Sequence, residues 1–183
     1  MKKILIPTKL NPVAKNTLES HGGYNVIQDD IKDLNDLIVE HSDTHALIVR
    51  SEKITSEIID LLPDLKIIVR AGAGYNTIDT KYARKRGVDV MNTPGANANA
   101  VAEEVVALML ADARHLIPGD ISCRQGKWEK KKFMGTEITG KTVGIVGFGA
   151  IGQLVAKRLS GFEVKILAFD PFLKVEKARL FDA

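Results

Sequence analysis

Short runs of aliphatic, largely β-branched residues recur along the first 95 positions. They predict strands at 3–7 (KILIP), 24–28 (YNVIQ), 46–50 (ALIVR), 66–70 (KIIVR) and 88–91 (VDVM). Mixed polar and apolar segments near 12–21, 33–41, 56–62 and 79–86 alternate with them and predict helices. The strands are continuous apolar runs more than strict alternations, which suits parallel strands covered on both faces. Asn11 before Pro12 reads as an N-cap with proline at the first helical position, and Gly22-Gly23 follow that helix. Thr55 is expected to cap the third helix, with Glu57 near its positive end and Pro63 stopping it. Strand–helix–strand spacing of about twenty residues predicts a doubly wound α/β lobe over 1–97.

The pattern changes after that. A helix is expected over 98–117, apolar nearly all the way round (Val101, Val105, Val106, Leu108, Met109, Leu110) and so buried on several sides, between two lobes. Past Pro118-Gly119 comes a basic stretch, RQGKWEKKKFMG. A second α/β unit then begins, with a strand at 142–146, a helix at 150–160 and a strand at 163–169.

That second unit carries the sharpest chemical signal, TVGIVGFGAIGQLVAKRL. Gly147, Gly149 and Gly152 have the spacing G-x-G-x-x-G between a strand and an amphipathic helix. There the glycines permit a tight turn and close backbone approach, so that a pyrophosphate can sit on the helix N-terminus. The next strand ends in Asp170, about 18 residues past Gly152, where an acid for a ribose hydroxyl is expected. Pro171 and Phe172 follow, with no arginine for a 2′-phosphate, so NAD is favoured over NADP. An ordinary tight β–α turn is the plainer alternative.

In an open parallel sheet, ligands bind beyond the carboxyl ends of the strands. Three such ends carry Arg50-Ser51, the bend RAGAG (70–74) and NTPG (92–95). A glycine-rich bend exposes backbone N–H groups to an anion, and Arg50 offers a planar fork for carboxylate or phosphate. Together the loops predict an anionic small-molecule site, where each alone could be a simple turn. Arg124, Lys127, Lys130, Lys131 and Lys132 surround Trp128 and Phe133. That run is either a solvated face or a grip on a phosphate-bearing substrate, within this subunit or reached from a neighbouring one. Nucleic acid is the weakest reading.

Composition narrows the classes. The 183 residues carry a formal charge of +3 and one cysteine, Cys123. An internal disulfide framework is excluded, and a cytoplasmic setting is expected. No apolar run approaches the roughly 20 residues of a membrane helix, and no membrane partner is expected. The four histidines (His21, His41, His45, His115) form no metal-ligand pattern with each other or with Cys123, and none is expected to be a catalytic base.

Taken together, LIVRS (47–51), RAGAG (70–74), VMNTPGANANAVAEE (90–104), GKWEKKKFMGTEITGKTVGIVGFGAIG (126–152) and AFDP (168–171) resemble the D-2-hydroxyacid dehydrogenase family, in its D-3-phosphoglycerate dehydrogenase branch. The resemblance implies a flavodoxin-like substrate lobe (1–97) followed by the start of a Rossmann NAD-binding domain (98–183). It implies NAD-dependent oxidation of 3-phosphoglycerate to 3-phosphohydroxypyruvate, which opens serine biosynthesis. By the same resemblance Ala73 and Gly74 amides hold the substrate carboxylate and Arg50 the phosphate. Gly149, Ala150, Ile151 and Gly152 face the pyrophosphate, Asp170 the ribose, and Lys130 a neighbouring active site in a homodimer or homotetramer. Departures are the stretch Tyr75-Asn76-Thr77-Ile78-Asp79 and Ala100, where many members carry serine. No residue here matches the family's catalytic arginine, glutamate and histidine. The chain is therefore expected to be an inactive N-terminal fragment. The alternatives are a glyoxylate or hydroxypyruvate reductase and a noncatalytic NAD-binding interaction module.

Overall fold

The computed structural model describes residues 1–173 and 175–181; Lys174, Asp182 and Ala183, at the end of the expected Rossmann segment, lie outside the described residues. The chain forms two compact units, Met1–Ala96 and Asn97–Ala183.

The first unit is a five-stranded parallel sheet: β1 (Lys2–Ile6), β2 (Tyr24–Gln28), β3 (Ala46–Val49), β4 (Ile67–Arg70) and β5 (Asp89–Asn92). Its order is β2-β1-β3-β4-β5, the flavodoxin-like arrangement. Helices α1 (Pro12–Ser20), α2 (Leu34–Glu40), α3 (Ser56–Asp60) and α4 (Thr80–Lys85) make the crossovers. Register explains the two-sided core. Leu5, Leu47, Val49 and Ile68 point to one face and pack with Leu37, Ile38, Ile58 and Ile59 of α2 and α3. Ile4, Ile6 and Val26 point to the other, against Leu10 and Leu18. Asn11 caps α1 by accepting the Val13 N–H at 3.0 Å. Thr55 precedes α3 as expected, yet its side chain makes no capping bond. His21 and His41 close α1 and α2.

The second unit begins with α5, and here the structure corrects the expectation of one helix over 98–117. Helix α5 (Ala98–Ala113) ends, His115 takes a left-handed φ of 51°, and α6 (Leu116–Arg124) starts afresh. Pro118 supplies the reason. In a continuous helix it would leave the Arg114 carbonyl without a donor and clash with it, whereas in the first turn of α6 its missing N–H costs nothing. The helix is also less buried than its composition suggests, since only Ala98 and Ala102 are fully buried. Beyond a 3-10 turn at Lys130–Phe133, β6 (Thr142–Val146), α7 (Ala150–Leu159) and β7 (Lys165–Phe169) form a parallel βαβ unit, followed by α8 (Val175–Arg179). Val143, Ile145, Ile166 and Ala168 face a core with Ala102, Val155, Ala156 and Leu159 of α5 and α7. No helix among the described residues is long and apolar enough to cross a membrane.

Candidate functional site

The carboxyl ends of β3, β4 and β5 place three loops side by side, and hydrogen bonds strap them together. Arg50 and Ser51 follow β3; their N–H groups both donate to Glu52 Oε2, at 2.6 and 3.0 Å. The bend after β4 is Ala71-Gly72-Ala73-Gly74. Its first two N–H groups are spent, Ala71 on the Val49 carbonyl and Gly72 on the Arg70 carbonyl, each at 2.8 Å. Those of Ala73 and Gly74 have no acceptor among the described residues. Arg70 folds back across the bend, its Nε donating to the Arg50 carbonyl at 3.0 Å. A Cβ on Gly72 would lie 1.5 Å from the Arg70 guanidinium, so glycine is what lets the arginine cross there. From β5, Asn92 Nδ2 donates to the Ala73 carbonyl at 2.6 Å and the Thr93 N–H to the Gly72 carbonyl at 3.0 Å. Arg84, Arg86, Arg124 and Arg158 pair with carboxylates, whereas among the described residues neither Arg50 nor Arg70 has a carboxylate partner. This edge thus joins the Arg70 guanidinium and the residue Arg50 with two amides that have no acceptor among the described residues, a setting for a small anion carrying carboxylate or phosphate.

The glycine motif forms a separate site in the second unit. Gly147 follows β6 at φ +93°, a region closed to most side chains. Gly149 is the N-cap of α7, and no side chain caps that helix. Its first-turn N–H groups, on Ala150, Ile151 and Gly152, are therefore open to an anion. A Cβ on Gly152 would sit 2.4 Å from the Gly147 carbonyl oxygen, so helix and turn approach as closely as a dinucleotide turn requires. Asp170 is brought to this turn, accepting the Phe148 N–H on Oδ2 at 2.8 Å and the Phe172 N–H on Oδ1 at 2.9 Å. Each carboxylate oxygen retains a second lone pair for a hydroxyl. A bare helix N-terminus, a φ open to glycine and an acid beside the turn fit a dinucleotide.

Lys130 opens the 3-10 turn and is exposed. Its neighbours are partly committed: Lys132 pairs with Glu129 at 3.6 Å and Arg124 with Asp120 at 2.7 Å. The buried Ser122 hydroxyl donates to Glu129 at 2.7 Å, and that bond holds the Glu129 carboxyl below its ordinary value. No group of His, Cys, Asp and Glu suited to a metal occurs among the described residues.

Several site residues escaped the sequence reading. Arg70 and Asn92 lay inside noticed motifs, but only the fold shows which atoms they hold. Glu52 gave no signal beyond its place next to Arg50-Ser51. Phe148, between Gly147 and Gly149, is buried and meets Phe181 edge to face at 5.6 Å.

A flavodoxin-ordered lobe with a loop edge suited to an anion, accompanied by a βαβ unit with a dinucleotide-type turn, fits the architecture of α/β dehydrogenases. The chain belongs to the family of D-isomer specific 2-hydroxyacid dehydrogenases, whose catalytic-domain model matches residues 4–166. It is 39% identical to D-3-phosphoglycerate dehydrogenase of Rattus norvegicus over 182 residues, 99% of this chain and 34% of that protein. Over 126 residues it is 52% identical to hydroxypyruvate reductase of Thermotoga maritima, covering 68% of this chain and 41% of that one. Among solved structures, the NAD+-bound 3-phosphoglycerate dehydrogenase of Entamoeba histolytica superposes with a TM-score of 0.77 at 34% identity, over 96% of this chain and 56% of that one. The chain thus spans about a third of the length of its mammalian relatives.

Proposed function

We propose that these residues form the substrate lobe and the opening of the NAD site of a 3-phosphoglycerate dehydrogenase, which oxidises 3-phosphoglycerate to 3-phosphohydroxypyruvate. The observation that carries the reading is the loop edge where Arg70, bonded to the Arg50 carbonyl, crosses the bend that holds the unspent amides of Ala73 and Gly74. A phosphorylated hydroxy acid has one anionic group for each pair. The Ala73 and Gly74 amides take the carboxylate. Arg50, joined by Arg70, takes the phosphate in the bidentate manner guanidinium groups favour. Similarity to the rat protein over nearly the whole chain supports the same substrate.

Gly147, Gly149, Ala150, Ile151 and Gly152 would hold the pyrophosphate of NAD and Asp170 its adenosine ribose. Bound there, NAD supplies the hydride acceptor for C2 of the substrate. The chain's own residues bind and orient. Proton transfer is assigned to none of them, because nothing here matches the family's catalytic arginine, glutamate and histidine, and the 183 residues alone are expected to show no turnover. Lys130 reaches a neighbouring subunit's site in a homodimer or homotetramer. The exposed apolar residues Leu108, Leu116, Ile117, Ile121, Trp128 and Met134 favour such pairing through the second unit. The lone Cys123 agrees with a cytoplasmic enzyme.

Calorimetric titration tests the reading. 3-Phosphoglycerate should bind more tightly than D-glycerate, and Arg50→Ala should erase that difference. The similarity to hydroxypyruvate reductase supports a second reading: hydroxypyruvate would then bind as well as the phosphorylated acid, with Arg50→Ala without effect.

A further inference from the structure

We propose that Asn92 is a positioning residue: its side-chain amide aims the Gly74 N–H at the substrate carboxylate. The inference rests on the reading of Ala73 and Gly74 above and adds a residue that the reading does not use. A trans peptide plane carries its C=O and N–H in opposite directions, and the described chain contains no cis bond. The Gly74 N–H shares a plane with the Ala73 carbonyl, which Asn92 Nδ2 pins at 2.6 Å. The Ala73 N–H shares a plane with the Gly72 carbonyl, which the Thr93 N–H pins at 3.0 Å. Asn92 and Thr93 therefore draw both carbonyls toward the β5 end, and both N–H groups are turned away from it, to the side of β4 on which the Arg50–Ser51 loop follows β3.

The two pins differ in kind. The Thr93 donor is backbone and present whatever residue stands there. The Asn92 donor is a side chain, reaching across 19 positions of sequence to a partly buried site. Without it the plane between Ala73 and Gly74, flanked by a glycine that imposes little on its own torsions, is free to turn. One of the two donors would then no longer be oriented before the ligand arrives. Aspartate at 92 is the informative replacement, because it keeps size and shape while presenting only acceptors to the Ala73 carbonyl.

Residual dipolar couplings of the backbone amides of the 183-residue chain read N–H directions directly. In Asn92→Asp the Gly74 coupling should change, whereas those of Leu47 and Ile68, in the buried strands, should hold and report an intact fold. Titrating D-glycerate as the carboxylate probe, the parent chain should show Ala73 and Gly74 amide shifts. Asn92→Asp should need roughly tenfold more ligand, the scale expected for one misplaced donor to a carboxylate. An unchanged Gly74 coupling, or unchanged glycerate affinity, overturns the positioning role. A parent chain whose Gly74 amide ignores both D-glycerate and 3-phosphoglycerate overturns the carboxylate reading itself, an outcome the couplings keep separate.

Discussion

The two parallel sheets are built from equally apolar strands and end in different surroundings. In Met1–Ala96, alternate residues of β1 enter two different cores: Leu5 on one face, Ile4 and Ile6 on the other. In the β6–β7 pair the described residues cover only one face. Val143, Ile145, Ile166 and Ala168 turn inward, while Val146, Leu167 and Phe169 are 86%, 52% and 65% exposed. The free edge of β6 borders an apolar groove of about 380 Å³ lined by Val105, Val106, Met109, Ile151 and Val155. Strand composition therefore reports what a strand is suited to meet, and not what covers it. An apolar face and an unpaired edge, both open among the described residues, are suited to meeting further apolar surface.

The largest expected effect tests that contrast with one kind of truncation in both sheets. Leu47→Ala, at a fully buried site of the first unit, should destabilise it by about 3 kcal/mol, as cavity-forming core substitutions do. Phe169→Ala removes more atoms from the second sheet but opens no cavity, and should stay within about 0.5 kcal/mol. Denaturant titrations followed by amide exchange in each unit give both numbers. A comparable cost at Phe169 would mean that its face is covered after all.

Two glycines sharpen the comparison at the next level. At Gly152 an added Cβ meets backbone, the Gly147 carbonyl oxygen. Helix α7 and the turn must move apart, at about 1–3 kcal/mol, and Gly152→Ala should lose NAD binding by calorimetry. At Gly72 the added Cβ meets the tip of Arg70, which can swing aside. Gly72→Ala should therefore cost less than about 0.5 kcal/mol in stability and instead release the Arg70–Arg50 bond, weakening 3-phosphoglycerate binding. Equal destabilisation by both would remove the distinction between a glycine required by backbone and one required by a side chain.

Much of this was legible in the residues. Each expected strand appears within about two residues, the usual uncertainty of element boundaries, because continuous apolar runs between polar segments leave few other folds. Gly147, Gly149, Gly152 and Asp170 were placed by strand–turn–helix context and come together at one turn. The break at His115 does not show in the sequence pattern, because a helix apolar all round gives no periodicity to interrupt, and Pro118 is its one local signal. The roles of Arg70 and Asn92 were illegible for another reason. They depend on parallel register, which sets Arg70 beside Asn92 and Val49, and spacing along the chain does not contain it.

Charge on the open sheet should alter association more than folding. Val146→Lys is expected to leave stability within about 0.5 kcal/mol while lowering any concentration-dependent sedimentation of the chain, since lysine blunts exposed edges. Persistence of the parent's association in Val146→Lys would direct attention to the apolar surface of α5 and α6 instead.

The smallest effect concerns acid, and it separates two ways of holding a carboxylate in the first unit. Asp29 accepts the N–H groups of Ile31 and Lys32 at 2.9 and 3.1 Å, and these bonds, Ile31 first, hold its carboxyl below the ordinary 3.8. Glu40 is held below 4.5 by the Lys32 ammonium at 2.7 Å, which is itself raised above 10.5 by Glu40. A lowered carboxyl contributes stability above its unfolded value and loses it as pH falls through the folded one. A raised ammonium contributes below its unfolded value and loses its share as pH rises through the folded one. Both contributions of the pair are therefore in force between the two ranges, and both are small because the groups are exposed and screened by salt. Lys32→Gln should return the Glu40 titration toward 4.5 in a carboxyl-carbon NMR experiment and leave Asp29 low, because the donors to Asp29 are backbone. An Asp29 that rises together with Glu40 would show that the lysine charge, and not the turn, holds both.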